Sequence, residues 1–281
     1  MKKKFYLLII LLAFTSASSY AIGPTPGKYK LTMPDRPDTP YQSLDNYTPD
    51  LTDHGAGPDF TVEVARHHII PYDTLRTFFN NMMARGDHLQ FRGVFSELGV
   101  HIPHYGESNS VSCSSNLEDF ANAASISLGL ASGRVRPGGV STPTGWDTFE
   151  QFYAWMPWNI FIGPINRADD PGQNFERQAR YIVSDDRLFG HFMELNDLMI
   201  QYNQQDSNVD LRRIVSLFRT LSRNRYIYPL EADQWERLSG GRYRIRERES
   251  YHRTPSMTKK TSDACYKTHE IYASFLYILG L

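Results

Sequence analysis

Two histidines, His67 and His68, stand side by side in the stretch ARHHIIPYDTLRTFF, residues 65–79, just ahead of Ile69, Ile70 and Pro71. Near neutral pH an imidazole can either hold a divalent ion through a neutral ring nitrogen or take a proton from water. A pair that divides those tasks has what metal-assisted phosphodiester hydrolysis requires, a cation to stabilise the leaving oxygen and a base to activate water. Adjacent residues of a strand point to opposite faces, so the two rings share one site only if the chain bends or leaves the strand there. Pro71 makes such a departure expected. The alternative is two histidines packed at a strand end for structure alone.

The elements around the pair follow from pattern. TVEVAR alternates and is β-branched, which predicts a short strand over 61–66 that delivers the histidines at its end. Pro71 and Asp73 open a helix running to about Arg85, with Leu75, Phe78, Phe79 and Met82 at helical spacing. A second short helix is expected near 88–98, followed by a polar loop in which His101 and His104 lie at the surface. The capping box Ser115-x-x-Glu118 opens a further helix, and residues 132–145 must be loop. Asp147 and Glu150 mark a helix ended by Met156-Pro157. Helical patterns then cover about 175–204, 208–224 and 231–238, RYRIRERE alternates as a strand would, and 262–279 reads as a closing helix. The fold class is mainly α with a small β component.

The N-terminus has signal-peptide form: Lys2, Lys3 and Lys4, an apolar run from Phe5 to Phe14, and small residues up to a cleavage point near Ala21. No later stretch is long and apolar enough for a transmembrane helix. The expected organisation is therefore a signal peptide over 1–21, an extended Pro- and Gly-rich arm over 22–60, and a single helical domain over 61–281, exported to the periplasm or beyond without stable membrane insertion. Cys113 and Cys265, an even pair in an exported chain, suggest one disulfide. The total of 30 Lys and Arg against 31 Asp and Glu favours no class of partner. Residues 211–260, however, hold 13 Lys and Arg against 5 Asp and Glu, interleaved with Tyr and Trp. That composition suits a phosphate backbone or, equally, solvated helix faces.

HHIIP at a strand end resembles the opening of the HNH nuclease superfamily, the ββα-metal or His-Me finger nucleases, in its His-His-x-x-Pro branch. The resemblance implies a ββα-metal element inside the larger helical domain, with His68 as general base and His67 as metal ligand. It also implies a downstream asparagine that steadies the base-bearing loop. Asn159, followed by an apolar trio and Gly163-Pro164, fits that place, with Asn166 as second choice. The last ligand would come from Asp169 or Asp170, with His191 as fallback. Oxygen ligands favour magnesium, with manganese or zinc as alternatives. Arg167 would grip the scissile phosphate, its guanidinium matching two oxygens. The implied partner is DNA or RNA, and a toxin role would add an immunity protein.

Other features point elsewhere. Trp146, Phe149, Phe152, Tyr153, Trp155 and Trp158 form an aromatic block better suited to a core than to base stacking. There is no Gly-x-Ser-x-Gly, Walker loop, dinucleotide fingerprint or His-Glu-x-x-His. Common serine hydrolases, nucleotide-dependent enzymes and zincins are thereby disfavoured. The second reading is a non-enzymatic periplasmic or secreted binding protein whose histidines are structural.

Overall fold

The structure, a computed structural model, describes residues 31–44, 51, 62–109, 117–138 and 142–247. The expected signal peptide, the Cys113–Cys265 pair, the Ser115 cap and the helix at 262–279 lie outside these residues. In chain order the elements are β1 (Val64–His68), α1 (Tyr72–Arg85), α2 (Arg92–Ser108), α3 (Leu117–Ser132), α4 (Trp146–Ala154), β2 (Ile160–Pro164), α5 (Arg180–Val183), α6 (Asp186–Asn203), α7 (Leu211–Leu221), β3 (Trp235–Arg237) and β4 (Tyr243–Ile245). The protein is mainly helical with small antiparallel sheets. No helix among the described residues is long and apolar enough to cross a membrane.

β1 and β2 pair antiparallel, with His67 opposite Phe161 and His68 opposite Ile160. Helices α1 to α4 are all inserted between these two strands. Such a connection is long, so local turn chemistry cannot set its register. The burial of Ile69, Ile70, Ile160 and Phe161 at the end of the pair does. The strand expected over 61–66 runs instead over Val64–His68, so both histidines belong to it.

α1 buries Leu75, Phe78, Phe79, Met82 and Met83, one stripe at helical spacing. It ends at Gly86 in the left-handed conformation (φ 74°), whose N–H bonds back to the Met82 and Met83 carbonyls. Phe79 is surrounded by Phe95, Trp146, Phe149 and Tyr153 at centroid distances of 5.1–6.1 Å. The aromatic block is therefore core, with Trp158 fully buried between Phe192 and Phe218.

Three elements differ from expectation for physical reasons. α2 does not stop near residue 98 but continues through Pro103 to Ser108. The missing N–H costs one helical bond, yet Leu98, Ile102 and Tyr105 keep a buried face that holds the helix together. His101 is consequently not a surface residue: it is 6 % exposed, stacks on Tyr105 and lies 3.6 Å from Glu97. The single helix expected over 175–204 is broken where Ser184 turns left-handed (φ 54°) and Asp185 accepts from Leu188 N to cap α6. At 231–238 only Ala232–Gln234 forms a helical turn. Trp235 instead enters a strand pair with β4, where its ring is buried.

The arm has no helix or strand over 31–44, but Leu31, Met33 and Tyr41 are buried in the body. Tyr41 Oη donates to the Trp155 carbonyl at 2.8 Å and Trp155 Nε1 donates to the Pro37 carbonyl at 2.8 Å. The arm is thereby pinned to the C-terminal end of α4.

Glu150, half-buried on α4, supplies a test of this packing. Burial raises its carboxyl pKa from 4.5 to about 7, against the Trp146 ring N–H and with Asp147 adding to the rise. An acid whose pKa is higher folded than unfolded contributes stability that is complete below 4.5 and is lost as pH rises through about 7. Glu150→Gln, which keeps the neutral form at every pH, should leave the melting temperature unchanged at pH 4. At pH 8 it should raise it by about 2–4 °C, the discount reflecting solvent screening. An equal shift at both pH values would show that the carboxylate is not desolvated.

Candidate functional site

The site is organised by one side chain. Asn159, fully buried just before β2, accepts from Ile70 N through Oδ1 at 2.7 Å and donates through Nδ2 to the Ile70 carbonyl at 2.8 Å. Its own carbonyl accepts from Ile69 N at 2.9 Å. An amide is the side chain that can satisfy a buried N–H and a buried C=O of one residue at once. The chain leaving His68 is therefore fixed within the core, and the strand end is held in one position. Asn166, by contrast, is exposed.

Both histidines line a single cavity of about 470 Å³. Ala65, Arg66, His67 and His68 all contribute to its wall, so it runs along the side of β1 that β2 leaves unpaired. Strand alternation does not separate the rings because the cavity wraps that edge and reaches both faces. His68 Nε2 donates to the Ala154 carbonyl at 2.8 Å, and the ring lies 4.9 Å from Trp155 and 6.1 Å from Tyr72. His67 Nε2 donates to the Pro164 carbonyl at 3.1 Å, with its ring stacked on Phe161. Each bond assigns the ring proton to Nε2 and leaves the Nδ1 lone pair for a ligand or a proton.

Burial pulls the His68 pKa down to about 3, with Arg36 pushing in the same direction and the Ala154 bond opposing. Burial likewise lowers His67 to about 4, aided by Arg167 and opposed by the Pro164 carbonyl and Asp170. Both rings are neutral at pH 7, the state a base or a ligand needs, at the expense of basicity.

The other expected site residues divide. Asp170 lines the cavity while its Oδ1 accepts from Gly172 N in a turn. Asp169 is spent elsewhere, with Oδ1 3.1 Å from Arg167 Nε and Oδ2 accepting from Ile245 N. His191 lies on α6, near enough to Glu194 to influence its charge, and does not line the cavity. Arg167 is buried between Asp169 and Glu176, the latter at 2.7 Å, and lies over the Phe161 and Trp235 rings. Two carboxylates outweigh the burial that opposes its charge. It ties β2 to the segments after it and has little charge left for a phosphate.

The donor set bears on a metal. No group of three His, Cys, Asp or Glu side chains is gathered for an ion among the described residues. His67 and Asp170 are two donors on one cavity, which fits a hard ion that keeps most of its water, such as magnesium or manganese. They do not fit the closed tetrahedral sphere of a structural zinc. Asp35, Arg36, Tyr72 and Glu176 line the same cavity without having been singled out from sequence, and Trp155, expected only as core, borders His68. Arg66, directly before His67, carried the one local signal available.

No protein-family model matches the chain, and no solved structure matches it. The chain is 32% identical over 182 residues to protein p9 of the Acyrthosiphon pisum secondary endosymbiont phage 1, a match covering 57% of this chain and 48% of that protein. The chain thus spans about half the length of that relative. The likeness assigns neither a family nor an activity.

Asn159 is open to direct test. Asn159→Ala strands the Ile70 N–H and carbonyl in the core and should cost about 2–5 kcal/mol, about 5–15 °C in thermal melting. Asn159→Asp should melt comparably low, because the carboxylate places an oxygen against the Ile70 carbonyl and buries a charge. An Asp variant melting with the wild type would mean that the Nδ2 donor is dispensable.

Proposed function

We propose that the protein is an exported nuclease that hydrolyses phosphodiester bonds of DNA or RNA, with His68 as general base. The observation that carries this reading is the doubly hydrogen-bonded Asn159, which fixes the end of the histidine strand beside a cavity lined by four arginines. An asparagine steadying the base-bearing segment is what the resemblance of HHIIP to the His-Me finger nucleases implies. Export rests on the signal-like N-terminus, and a toxin role, with an immunity protein as its partner, extends the same reading.

In this reading the Ala154 carbonyl holds the His68 N–H and turns the Nδ1 lone pair toward water in the cavity. Nδ1 takes a proton as the water oxygen bonds to phosphorus. The opposite P–O bond breaks, and the departing oxygen is protonated from solvent. Trp155 and Tyr72 restrict the ring to one orientation. His67 and Asp170 would hold a divalent ion, which supplies charge stabilisation at the phosphoryl oxygens when bound.

Plasmid DNA and structured RNA incubated with magnesium or manganese should be cleaved by the wild type. His68→Ala should be slower by about 100-fold or more, the usual scale of a general base. Intact nucleic acid at high concentration of folded protein, or a His68→Ala variant as fast as the wild type, would refute the reading.

A further inference from the structure

The arginines of the cavity are not equivalent. Arg76 is 2.8 Å from Asp35, and Arg167 is held by Asp169 and Glu176. Asp73 sits in the first turn of α1, where the helix N-terminus favours a negative charge, and Asp170 closes its own turn with Gly172. Arg36 and Arg66 have no carboxylate within ion-pair distance among the described residues.

Both are nevertheless held in place. The Arg36 guanidinium lies 4.5 Å from the centre of the Trp155 ring, the ring that also borders His68. The Arg66 guanidinium lies 5.5 Å from the Tyr41 ring, and its Nη2 donates to the Gln42 carbonyl at 2.7 Å. Its buried Nε has no hydrogen-bond partner. A guanidinium lying over an aromatic ring keeps its in-plane N–H donors free while losing rotational freedom. The two aromatic platforms are themselves joined, since Tyr41 Oη donates to the Trp155 carbonyl. Two oriented cations thus border the cavity beside His68, Arg36 from the arm and Arg66 from β1, the latter with Nη1 beyond its Gln42 bond and its buried Nε.

We propose that Arg36 and Arg66 form a phosphodiester clamp that holds the backbone of a nucleic-acid strand next to His68, the role that Arg167 is too neutralised to fill. This rests on the nuclease reading for its ligand class. The paired donors of Arg36 match the two free oxygens of a phosphodiester, Arg66 adds its charge and Nη1, and the arm becomes a working part of the site.

The test is fluorescence anisotropy with a short labelled oligodeoxynucleotide in EDTA, so that binding is read without turnover. The full chain should bind, and a methylphosphonate oligonucleotide lacking the backbone charge should not. The Arg36→Gln, Arg66→Gln double variant should bind at least about tenfold more weakly, with the slope of log K against log salt smaller by about 2. Arg134→Gln, exposed after α3 and away from the cavity, should bind as the wild type. Arg36→Gln alone, on exposed chain, is measured beside its melting temperature so that weakened binding by folded protein is unambiguous. Unchanged affinity and slope in the double variant, or no binding by the wild type at low salt, would overturn the clamp. Arginine-dependent binding without any cleavage would retain the clamp and reject the hydrolase. Cleavage that ignores both arginines would do the reverse.

Discussion

The contact on which the site depends is the amide of Asn159 against the backbone of Ile70. Two hydrogen bonds, with a third from Ile69 N to the Asn159 carbonyl, close a loop of chain that contains α1 to α4. Buried backbone groups must be satisfied, and at the end of β1 the sheet no longer can, because β2 begins where the ladder ends. One side chain completes the ladder from within the core. Everything nearby takes its position from that closure: the histidines at the strand end, the cavity along its open edge, and Glu176, whose N–H bonds to the Ile69 carbonyl at 3.0 Å.

A second layer of constraint holds the opposite wall. Arg167 with Asp169 and Glu176 forms a buried charged group, and Trp235 covers Gly163 so closely that a Cβ there would meet its ring at 2.5 Å. The small pair of β3 and β4 is thereby pressed against β2. Breaking one member of such a buried ion group strands the others, so it secures geometry more than it adds stability. An arginine that seemed suited to a phosphate is instead part of the frame, while two less conspicuous ones meet no carboxylate among the described residues.

The positions most legible from sequence were those governed by local rules. α1, α4 and α7 follow from apolar spacing and terminal residues, and the double histidine with Pro71 marks the end of a strand. Asn159 stood out through its setting before an apolar trio and Gly163-Pro164, but its partner, the Ile70 backbone, did not. Where long-range packing competes with a local rule, the pattern misleads: Pro103 remains inside α2, Ser184 breaks one helical run into two, and Trp235 joins a strand because its ring finds Gly163.

By itself, then, the sequence determined the mainly helical class and set His67, His68 and Asn159 apart as polar residues in apolar surroundings. Those are properties of side-chain type and of spacing over a few turns. Tertiary structure alone decided that residues 31–44 pack over the site, that Arg167 meets two carboxylates while Arg36 and Arg66 meet none among the described residues, and that both histidines line one cavity. Ion pairing and cavity shape depend on distances between segments far apart in the chain. No local pattern encodes which carboxylate an arginine will meet.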